Sequence, residues 1–461
     1  MRKINNWALF PRSSAFTPFK PLLQSTQIVA ICGALFTAVS LKAQAPPVLW
    51  QTNVNATLFA VDSQTNVYAN TNGTVITLNS LGVPFKTNSY CPVPSIAPGF
   101  ALRDFSGNFY FAGNFDGTND FGGKIVVGGW TNGTPTPGKW QPGYPTCYLA
   151  KYAGNGTLLW ATAFGLQAGH NVVSDLVLNP DNSVTIGIYA GLNLSQIAYF
   201  TSTGASLWHT NINLPLNGGP VKLSSLRGTN GGFLYYNNGT GRINTGHYSS
   251  SGAIAFNSSE AIYFTPSSTN PSGKPVTTVA NEIYTAGFGQ PGPGSSILQK
   301  AVIGGGIVWT QTVSSVEQWV LNGDNRGHVY LSGVDGSFSE YNSDGTQIWT
   351  TTYGSPAVFG LSDLAGNRIV QFADNTIALI SADPGAQVPR VHLNPQAGDG
   401  ATSAGFQFSL SGDSGSACQI IWSTNLTTWQ SMGYVLNDTG DVQIVDPDAT
   451  NHMSKFYWVS P

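Results

Sequence analysis

The stretch that decides the fold is Ala101-Leu-Arg-Asp-Phe-Ser-Gly-Asn-Phe-Tyr-Phe-Ala-Gly113. Its apolar start runs into Asp104, a turn of Ser, Gly and Asn follows, and apolar residues then surround Tyr110. Turn residues between two short runs of apolar and aromatic side chains are typical of paired strands. The stretch therefore predicts two antiparallel strands joined by a tight turn.

The chain resumes this pattern at Tyr148-Leu-Ala-Lys-Tyr-Ala-Gly-Asn-Gly-Thr-Leu-Leu-Trp160. A third strand ends at Tyr152, Asn155-Gly156 is a strong hairpin signal, and a fourth strand ends in Trp160. The two stretches together predict a unit of four antiparallel strands that ends in Leu-Trp.

Similar units recur roughly 40 residues apart where no insertion intervenes, which is the period of blade-type β repeats. Most have an Asp or Asn at the first turn and a Gly at the second. This recurrence predicts an all-β fold, a seven-bladed β-propeller over residues 46–385. The seven units are Leu58 to Phe85, Ala101 to Trp160, Val173 to Thr210, Leu226 to Phe256, Val276 to Thr310, Val320 to Thr350 and Phe359 to Ser381.

The last unit, which contains Asp363, stops without a Gly turn and a terminal Trp. Near the start of the chain, Val48-Leu-Trp-Gln-Thr52 matches the Leu-Trp strand that ends other units, such as Leu207-Trp208. A ring of sheets must cover its first and last edges. We therefore expect the N-terminal strand to complete the last blade, with Trp50 packed beside the strands that follow Asp363.

The repeats resemble those of the bacterial seven-bladed β-propeller repeat family, whose units run from an aspartate through Gly-Asn and Tyr to a final Leu-Trp. The match is close from Asp104 to Gly113, at Phe121-Gly-Gly123 and from Lys151 to Phe164, and weaker elsewhere. It covers about residues 48 to 384. The resemblance implies the fold far more firmly than an activity.

The sequence pattern changes after the repeats and a linker at residues 386–404. From Gly405 the chain alternates apolar and polar residues, which predicts a small β-sandwich of about five strands over residues 405–461. This segment resembles a C-terminal module of secreted Planctomycetes and Verrucomicrobia proteins at Ser423-Thr-Asn-Leu, Asp446-Pro447 and Lys455-Phe-Tyr457. Trp422 and Trp429 could stack on sugars, but their alternation favours packing in the core.

Residues 1–45 are typical of a signal peptide. Arg2 and Lys3 precede the apolar run Ile28 to Leu41, and Ala43-Gln-Ala45 is a small-residue cleavage site. A membrane anchor is the alternative, although the run is shorter than the roughly 20 residues that a bilayer needs. We expect an exported protein, secreted or periplasmic, with no membrane span after cleavage.

The net charge of −3 argues against nucleic acid and anionic membranes as partners, because both require a basic surface. A monomer is expected. Cys91 and Cys147 flank one unit and could form a disulfide in an oxidising compartment, or the three cysteines left after signal cleavage could stay unpaired. No cysteine spacing indicates a zinc site.

The repeated Asp and Asn residues could bind a cation, but their positions are typical of Asx turns, in which the side chain binds nearby amides. The segment from Asp116 to Gly123 comes nearest to a calcium loop, yet it lacks the acidic twelfth position. The terminal Trp residues invite comparison with quinoproteins, but packing between blades explains them better. No metal or cofactor is predicted.

No combination of residues indicates nucleophilic catalysis, because the six His residues stand apart and no Gly-x-Ser-x-Gly elbow occurs. Asp175, Glu282, Asp324 and Asp363 are the acidic residues that could reach the axis of a propeller hydrolase. Acidic residues are scarce, so a pair at hydrolytic spacing is not expected.

One segment exceeds the repeat pattern, from Lys124 to Thr146, and it carries Trp130, Trp140 and Tyr144 among Gly and Pro residues. Long loops in compact domains often bind ligands, although this one could instead fold back over its own blade. We predict a non-enzymatic binding or scaffolding protein for a polymer, glycan or protein. The alternative is a propeller-fold polysaccharide hydrolase or lyase.

Overall fold

The computed structural model describes residues 44–460, apart from 63, 91–97, 105, 116, 128–145, 166–170, 180–181, 190–193, 214–219, 226–230, 238–241, 250, 257–261, 264–275, 278–281, 289–295, 303–305, 315–317, 324–326, 364–366, 382–391, 394–398, 403–404, 413–415, 438–440 and 453. The described chain consists of antiparallel β-strands and one 3-10 turn at Ala449–Asn451.

The first half of the repeat region forms three four-stranded antiparallel sheets, numbered here in chain order. In sheet II, a small hairpin of β8 and β9 lies between the second and third strands. Sheet I contains β2 (Thr57–Val61), β3 (Val67–Thr71), β4 (Thr74–Leu78) and β5 (Pro84–Ser89); sheet II contains β6 (Phe100–Arg103), β7 (Phe109–Phe115), β10 (Thr146–Tyr152) and β11 (Leu158–Phe164), with β8 (Thr118–Asp120) and β9 (Ile125–Val127); sheet III contains β12 (Val172–Leu178), β13 (Val184–Tyr189), β14 (Leu194–Phe200) and β15 (Ser206–Asn213).

Four further sheets follow, and the last of them takes its fourth strand from the start of the chain. Sheet IV contains β16 (Lys222–Ser225), β17 (Gly232–Asn237), β18 (Arg242–Tyr248), β19 (Ile254–Phe256) and the short β20 (Ile262–Tyr263); sheet V contains β21 (Val276–Thr277), β22 (Glu282–Phe288), β23 (Ser296–Val302) and β24 (Gly306–Ser314); sheet VI contains β25 (Gln318–Gly323), β26 (Val329–Gly333), β27 (Ser337–Tyr341) and β28 (Gln347–Thr352); sheet VII contains β29 (Ala357–Ser362), β30 (Arg368–Phe372), β31 (Thr376–Ile380) and β1 (Val48–Asn53). The unit predicted from Leu226 thus begins earlier, at Lys222, because its first strand carries no Asp turn signal.

The first strands of the sheets contact one another in cyclic order: β2 contacts β6, β6 contacts β12, and the series continues through β16, β21, β25 and β29 back to β2. Sheets arranged radially about a common axis form a β-propeller. Apolar side chains fill the space between neighbouring sheets, for example Tyr110 of sheet II with Ile186 of sheet III. The first strand of each sheet therefore lies at the axis and the fourth at the rim.

Side chains from neighbouring sheets form hydrogen bonds with backbone groups of the innermost strands. Gln371 of sheet VII binds sheet I twice, because its Oε1 accepts from the Leu58 amide at 2.8 Å and its Nε2 donates to the Ala56 carbonyl at 2.9 Å. An innermost strand has no hydrogen-bonding neighbour on its axial side, so these contacts satisfy groups that would otherwise be buried and unpaired. Four more such contacts are Asn114 Oδ1 with the Val173 amide, Asp175 Oδ2 with Leu223, Ser296 Oγ with Gln318 and Ser332 Oγ with Ala357.

At the rim, a Trp of one sheet packs on a Gly turn of the next. The Trp160 ring lies where a Cβ on Gly204 would be, and its Nε1 donates to the Ser202 carbonyl at 3.0 Å. Trp208 packs on Gly252, and Trp309 on Gly345, in the same way. Such a contact requires Gly, because the turn has a positive φ and no room for a side chain.

β1 places Trp50 in the same position between sheets VII and I. The strand pairs antiparallel with β31, where Trp50 lies opposite Leu379. The Trp50 ring fills the space beside Gly82, and its Nε1 donates to the Ser80 carbonyl at 2.9 Å. The N-terminal strand thus makes the rim contact that the fourth strands of sheets II, III and V make within the repeats.

The junctions after sheets I and VI depart from this pattern in ways that the sequence explains. Lys86 occupies the Trp position of sheet I, opposite Thr77, and points its Nζ at the Gly154 carbonyl, 3.5 Å away. Trp349 of sheet VI is fully buried and donates to Glu340 Oε2 at 2.5 Å. Sheet VII has no Gly turn on which Trp349 could pack, because its fourth strand is β1 and no turn connects β1 with the third strand.

The C-terminal segment forms two antiparallel sheets that share one apolar cluster, which includes Phe408, Leu410 and Ile420. Two of its strands, β32 and β33, lie within the predicted linker 386–404 and pair with β34. The first sheet contains β32 (His392–Leu393), β33 (Gly400–Thr402), β34 (Gly405–Ser411) and β37 (Asp441–Asp446); the second contains β35 (Ser416–Ser423), β36 (Gln430–Asn437) and β38 (Phe456–Ser460).

Trp50→Ala should lower the free energy of unfolding by about 2 kcal/mol, roughly half the cost of truncating a fully buried Trp. A chain that starts after Asn53 should lose more, because the edge of β31 is then exposed. Thermal unfolding followed by circular dichroism measures both. Leu49→Ala is the matched control, since Leu49 is 53% exposed on the same strand. Unchanged melting temperatures in the first two variants would contradict the assigned role of β1.

Gly204 and Gly156 occupy equivalent turns with φ of 88° and 96°, but a Cβ at Gly156 would have no atom within 4 Å. Gly156→Ala should cost about 1 kcal/mol for its backbone conformation alone. Gly204→Ala should cost about 1–3 kcal/mol more, because the added carbon overlaps Trp160. Chemical denaturation of the two variants measures the difference, and equal costs would refute the Trp packing.

Candidate functional site

The two ends of the propeller carry different kinds of connection. Strands alternate in direction, so the connections between first and second strands and between third and fourth strands share one end, called here the turn face. The other connections share the opposite end, called the loop face. The longest connection on the turn face is 226–231, whereas the loop face carries 90–99, 116–145, 214–221 and 257–275.

The turn face is built from Asx turns, as the sequence predicted. Asp104 Oδ1 accepts from the Asn108 amide at 2.8 Å, and its Oδ2 accepts from Asn108 Nδ2 at 2.9 Å. Asp62 with Asn66 and Asp363 with Asn367 repeat this pair of contacts. The structural role predicted for these side chains is confirmed, and their oxygens are used within the turns.

The structure describes three of the four acidic residues considered for hydrolysis. Each forms hydrogen bonds or an ion pair within its own sheet or with the adjacent sheet. Asp175 is fully buried and accepts from two backbone amides, those of Leu176 and Leu223. Glu282 Oε1 lies 2.6 Å from Lys300 Nζ, and Asp363 belongs to an Asx turn that also binds Thr65. Asp324 lies outside the described residues.

The segment compared with a calcium loop contains β8 and the turn that leads into β9. Asp120 Oδ1 accepts from the amides of Gly122 and Gly123, and Phe121 is fully buried against Phe115 and Tyr148. Asp116 lies outside the described residues. Among the residues that are described, no three His, Cys, Asp or Glu side chains are close enough together to hold a metal ion.

The predicted ligand-binding loop leaves the propeller on the loop face. Phe121 anchors its start in the core of sheet II, and β10 begins where it ends, at Thr146. Trp130, Trp140 and Tyr144 lie outside the described residues, so their role stays a prediction.

The predicted disulfide partner Cys147 is a buried free thiol at the loop-face end of β10, with its Sγ 3.4 Å from Asn114 Nδ2. Burial raises the pKa of the thiol to about 12, so it is protonated at neutral pH. Cys91 lies outside the described residues, and a pairing of the two stays a prediction.

A buried polar cluster that sequence analysis did not indicate lies between sheets VI and VII. Glu340 is buried, lies 2.6 Å from His328 Nδ1, and accepts from the Tyr330 hydroxyl at 2.9 Å. The Arg368 guanidinium packs over the Tyr330 ring. Glu340 lies opposite Trp349 in sheet VI, as Lys151 lies opposite Trp160 in sheet II. Because the negative Glu340 replaces a positive Lys, its partners are the hydrogen-bond donors His328 and Trp349.

A second cluster contains Asp446 and Asp448 of the C-terminal segment. Lys455 Nζ lies 2.7 Å from Asp446 Oδ2, 3.3 Å from Asp448 Oδ2 and 3.8 Å from the centre of the Trp422 ring. Burial would raise the pKa of Asp446, but hydrogen bonds from Lys455, Tyr457 and the Asp448 amide together lower it. Hydrogen bonds from Asn451, His452 and Lys455 lower the pKa of Asp448 to about 2.

Trp422 is thus engaged by Lys455 and by the His452 ring, 5.0 Å away, which supports the predicted packing role. Trp429 instead meets Trp458 at the surface, with ring centres 6.4 Å apart. Its carbonyl accepts from Ser106 Oγ of sheet II at 2.7 Å. Sequence analysis did not indicate Trp458, because its alternation with Tyr457 and Val459 separates the two sides of the strand without showing which side is buried.

No protein-family model matches the sequence, and no curated protein shows significant similarity to it. Solved structures with β-propellers are similar in fold. The WD40 β-propeller domain of Doa1 is 11% identical, with a TM-score of 0.46 over 73% of this chain and 97% of that chain. The Dos1 propeller is 8% identical, with a TM-score of 0.42 over 86% and 94%.

BamB from Moraxella catarrhalis is 13% identical, with a TM-score of 0.41 over 73% of this chain and 88% of that chain. At these identities the likeness concerns the β-propeller fold alone. Within the described part of the chain, no helix is both long and apolar enough to cross a membrane.

Asp448 should stabilise the C-terminal segment above the pKa of an unfolded Asp, about 3.9, and this contribution should disappear as the pH falls toward about 2. The melting temperature of the native chain should exceed that of Asp448→Asn at pH 7 and equal it near pH 2. Thermal unfolding monitored by Trp fluorescence over this range tests the contact. A difference that stays constant with pH would contradict the charged interaction.

Proposed function

We propose that the chain is an exported, non-enzymatic seven-bladed β-propeller, closed by its N-terminal strand and followed by a β-sandwich, that binds a glycan or protein through its loop face. The residues 1–45 support export. The cyclic contacts of seven first strands and the pairing of β1 with β31 support the blade count and the closure.

The observation that carries the binding role is the difference between the two faces. On the turn face, nearly identical tight turns are held by Asp and Asn side chains and by backbone hydrogen bonds at Gly, as at Asp104 and Gly204. On the loop face, the long connections lie between sheets I and V, whereas the connections within and after sheets VI and VII are the short segments 334–336, 353–356, 373–375 and 54–56. Binding residues commonly lie on variable loops that a rigid scaffold positions.

A binding role is also supported by how the acidic residues are used. Hydrolysis of a glycoside requires two carboxyl groups free to face one substrate. Asp175 binds backbone amides and Glu282 pairs with Lys300, so neither is spare for catalysis. No contact among the described residues favours the alternative of a hydrolase or lyase.

The segment from Lys124 to Thr146 is the proposed contact surface, because it is the longest loop-face connection between two strands of one sheet. Its Trp and Tyr side chains suit stacking on sugar rings or packing against an apolar protein surface. The buried Phe121 ring fixes the point where the loop leaves sheet II.

The test begins with a glycan array and affinity capture with the mature chain, residues 46–461. For any ligand found, Trp130→Ala combined with Trp140→Ala should weaken binding about tenfold or more, equivalent to about 1.4 kcal/mol or above. Isothermal titration calorimetry measures the change.

Phe85→Ala is the matched control, since Phe85 is an exposed aromatic residue on the rim of sheet I, at the turn-face end of β5. It should bind with unchanged affinity and melt at the native temperature. Binding that survives the loop substitutions but is lost when turn-face residues such as Thr203 are changed would overturn the assignment of the face.

A further inference from the structure

The outer side of the second C-terminal sheet carries apolar side chains that its core does not use. We call this surface the aromatic face and define it by Leu426, Trp429, Phe456 and Trp458. Phe456 and Trp458 alternate along β38 with Tyr457 and Val459, which pack in the core. Since neighbouring residues on a strand point to opposite sides, Phe456 and Trp458 face solvent together.

The exposure of these rings is large for aromatic residues. Trp458 is 57% exposed and Phe456 is 41% exposed in the whole chain. The Trp429 ring stands nearly perpendicular to Trp458, at 74°, so the two rings form an angled platform. Isolated exposed apolar residues are common, but clustered aromatic ones indicate a surface for binding.

The loop beside this platform holds Leu426 outward in an unusual conformation. Leu426 has a φ of 61° and is 56% exposed. Ser423 Oγ accepts from the amides of Asn425 and Leu426, and Asn425 Oδ1 accepts from those of Thr427 and Thr428. A left-handed conformation at a non-Gly residue costs free energy, so the turn fixes an exposed side chain at that cost.

The charge of the sheet narrows the class of ligand. None of the residues of β35, β36 and β38 is Asp, Glu, Lys or Arg. Lys455, which precedes β38, is buried and neutralised by Asp446 and Asp448. An anionic or cationic polymer would find no opposite charge on these strands, whereas an uncharged ligand loses nothing there.

We infer that the aromatic face binds a neutral polysaccharide. The apolar faces of its sugar rings would stack on Trp458 and Phe456, which are exposed on the same side of β38. This site is separate from the proposed loop-face site. The C-terminal segment would then attach the propeller to a glycan surface while the loop face stays free.

Affinity electrophoresis of the mature chain in gels containing a neutral glucan, a neutral mannan, alginate or dextran sulfate tests the inference. Retardation is expected in at least one neutral polymer and in neither charged one. Trp458→Ala combined with Phe456→Ala should raise the dissociation constant at least tenfold. Trp458→Phe should retain most of the affinity, because an aromatic ring remains.

Phe85→Ala serves again as the control for loss of an exposed aromatic residue and should not change the retardation. Loss of binding in Trp130→Ala with Trp140→Ala, together with full binding in the Trp458 and Phe456 double variant, would overturn this inference while supporting the loop-face proposal. Retardation by charged polymers alone, or a dimer that the double variant abolishes in analytical ultracentrifugation, would also overturn it.

Discussion

The innermost strand of every sheet has an axial edge with no strand beside it, and the fold depends on how the backbone groups of that edge are satisfied. Gln371 forms hydrogen bonds with both the Ala56 carbonyl and the Leu58 amide. At other junctions, side-chain oxygens of Asp175, Ser296 and Ser332 accept from backbone amides of the next sheet. At these junctions a side chain of one sheet therefore satisfies a backbone group of the next. A ring is the arrangement in which every such edge is covered.

At the rim, too, each sheet needs contacts with the next one, and Trp residues that pack on Gly turns provide them. Trp160, Trp208 and Trp309 each cover a turn in the next sheet, and Trp50 does so from the other end of the chain. These interactions use the Asp, Gly and Ser residues of the turn face for stability. The loop-face connections differ in length from sheet to sheet, so they are the part of the propeller that can carry a binding surface.

Much of the fold could be predicted from the sequence, because the Asp turn, the Gly turn and the terminal Trp recur with a regular period. Trp50 could be assigned to the last sheet since that unit lacks its own fourth strand. The contacts of Gln371 could not be predicted, because they join sheets I and VII, which are distant in sequence. Those of Glu340 lie within sheet VI, but no repeated motif indicates them. Trp458 was missed because alternation shows which residues share a side, but not which side is buried. The loop residues Trp130 and Trp140 could be named from composition alone, but not placed.

Hydrogen exchange of the mature chain tests the closure most directly. We expect the amides of β1 to be protected as strongly as those of β31 and to exchange together with them, because the two strands belong to one sheet. A β1 that exchanges as fast as a free peptide while β31 stays protected would contradict the closed ring.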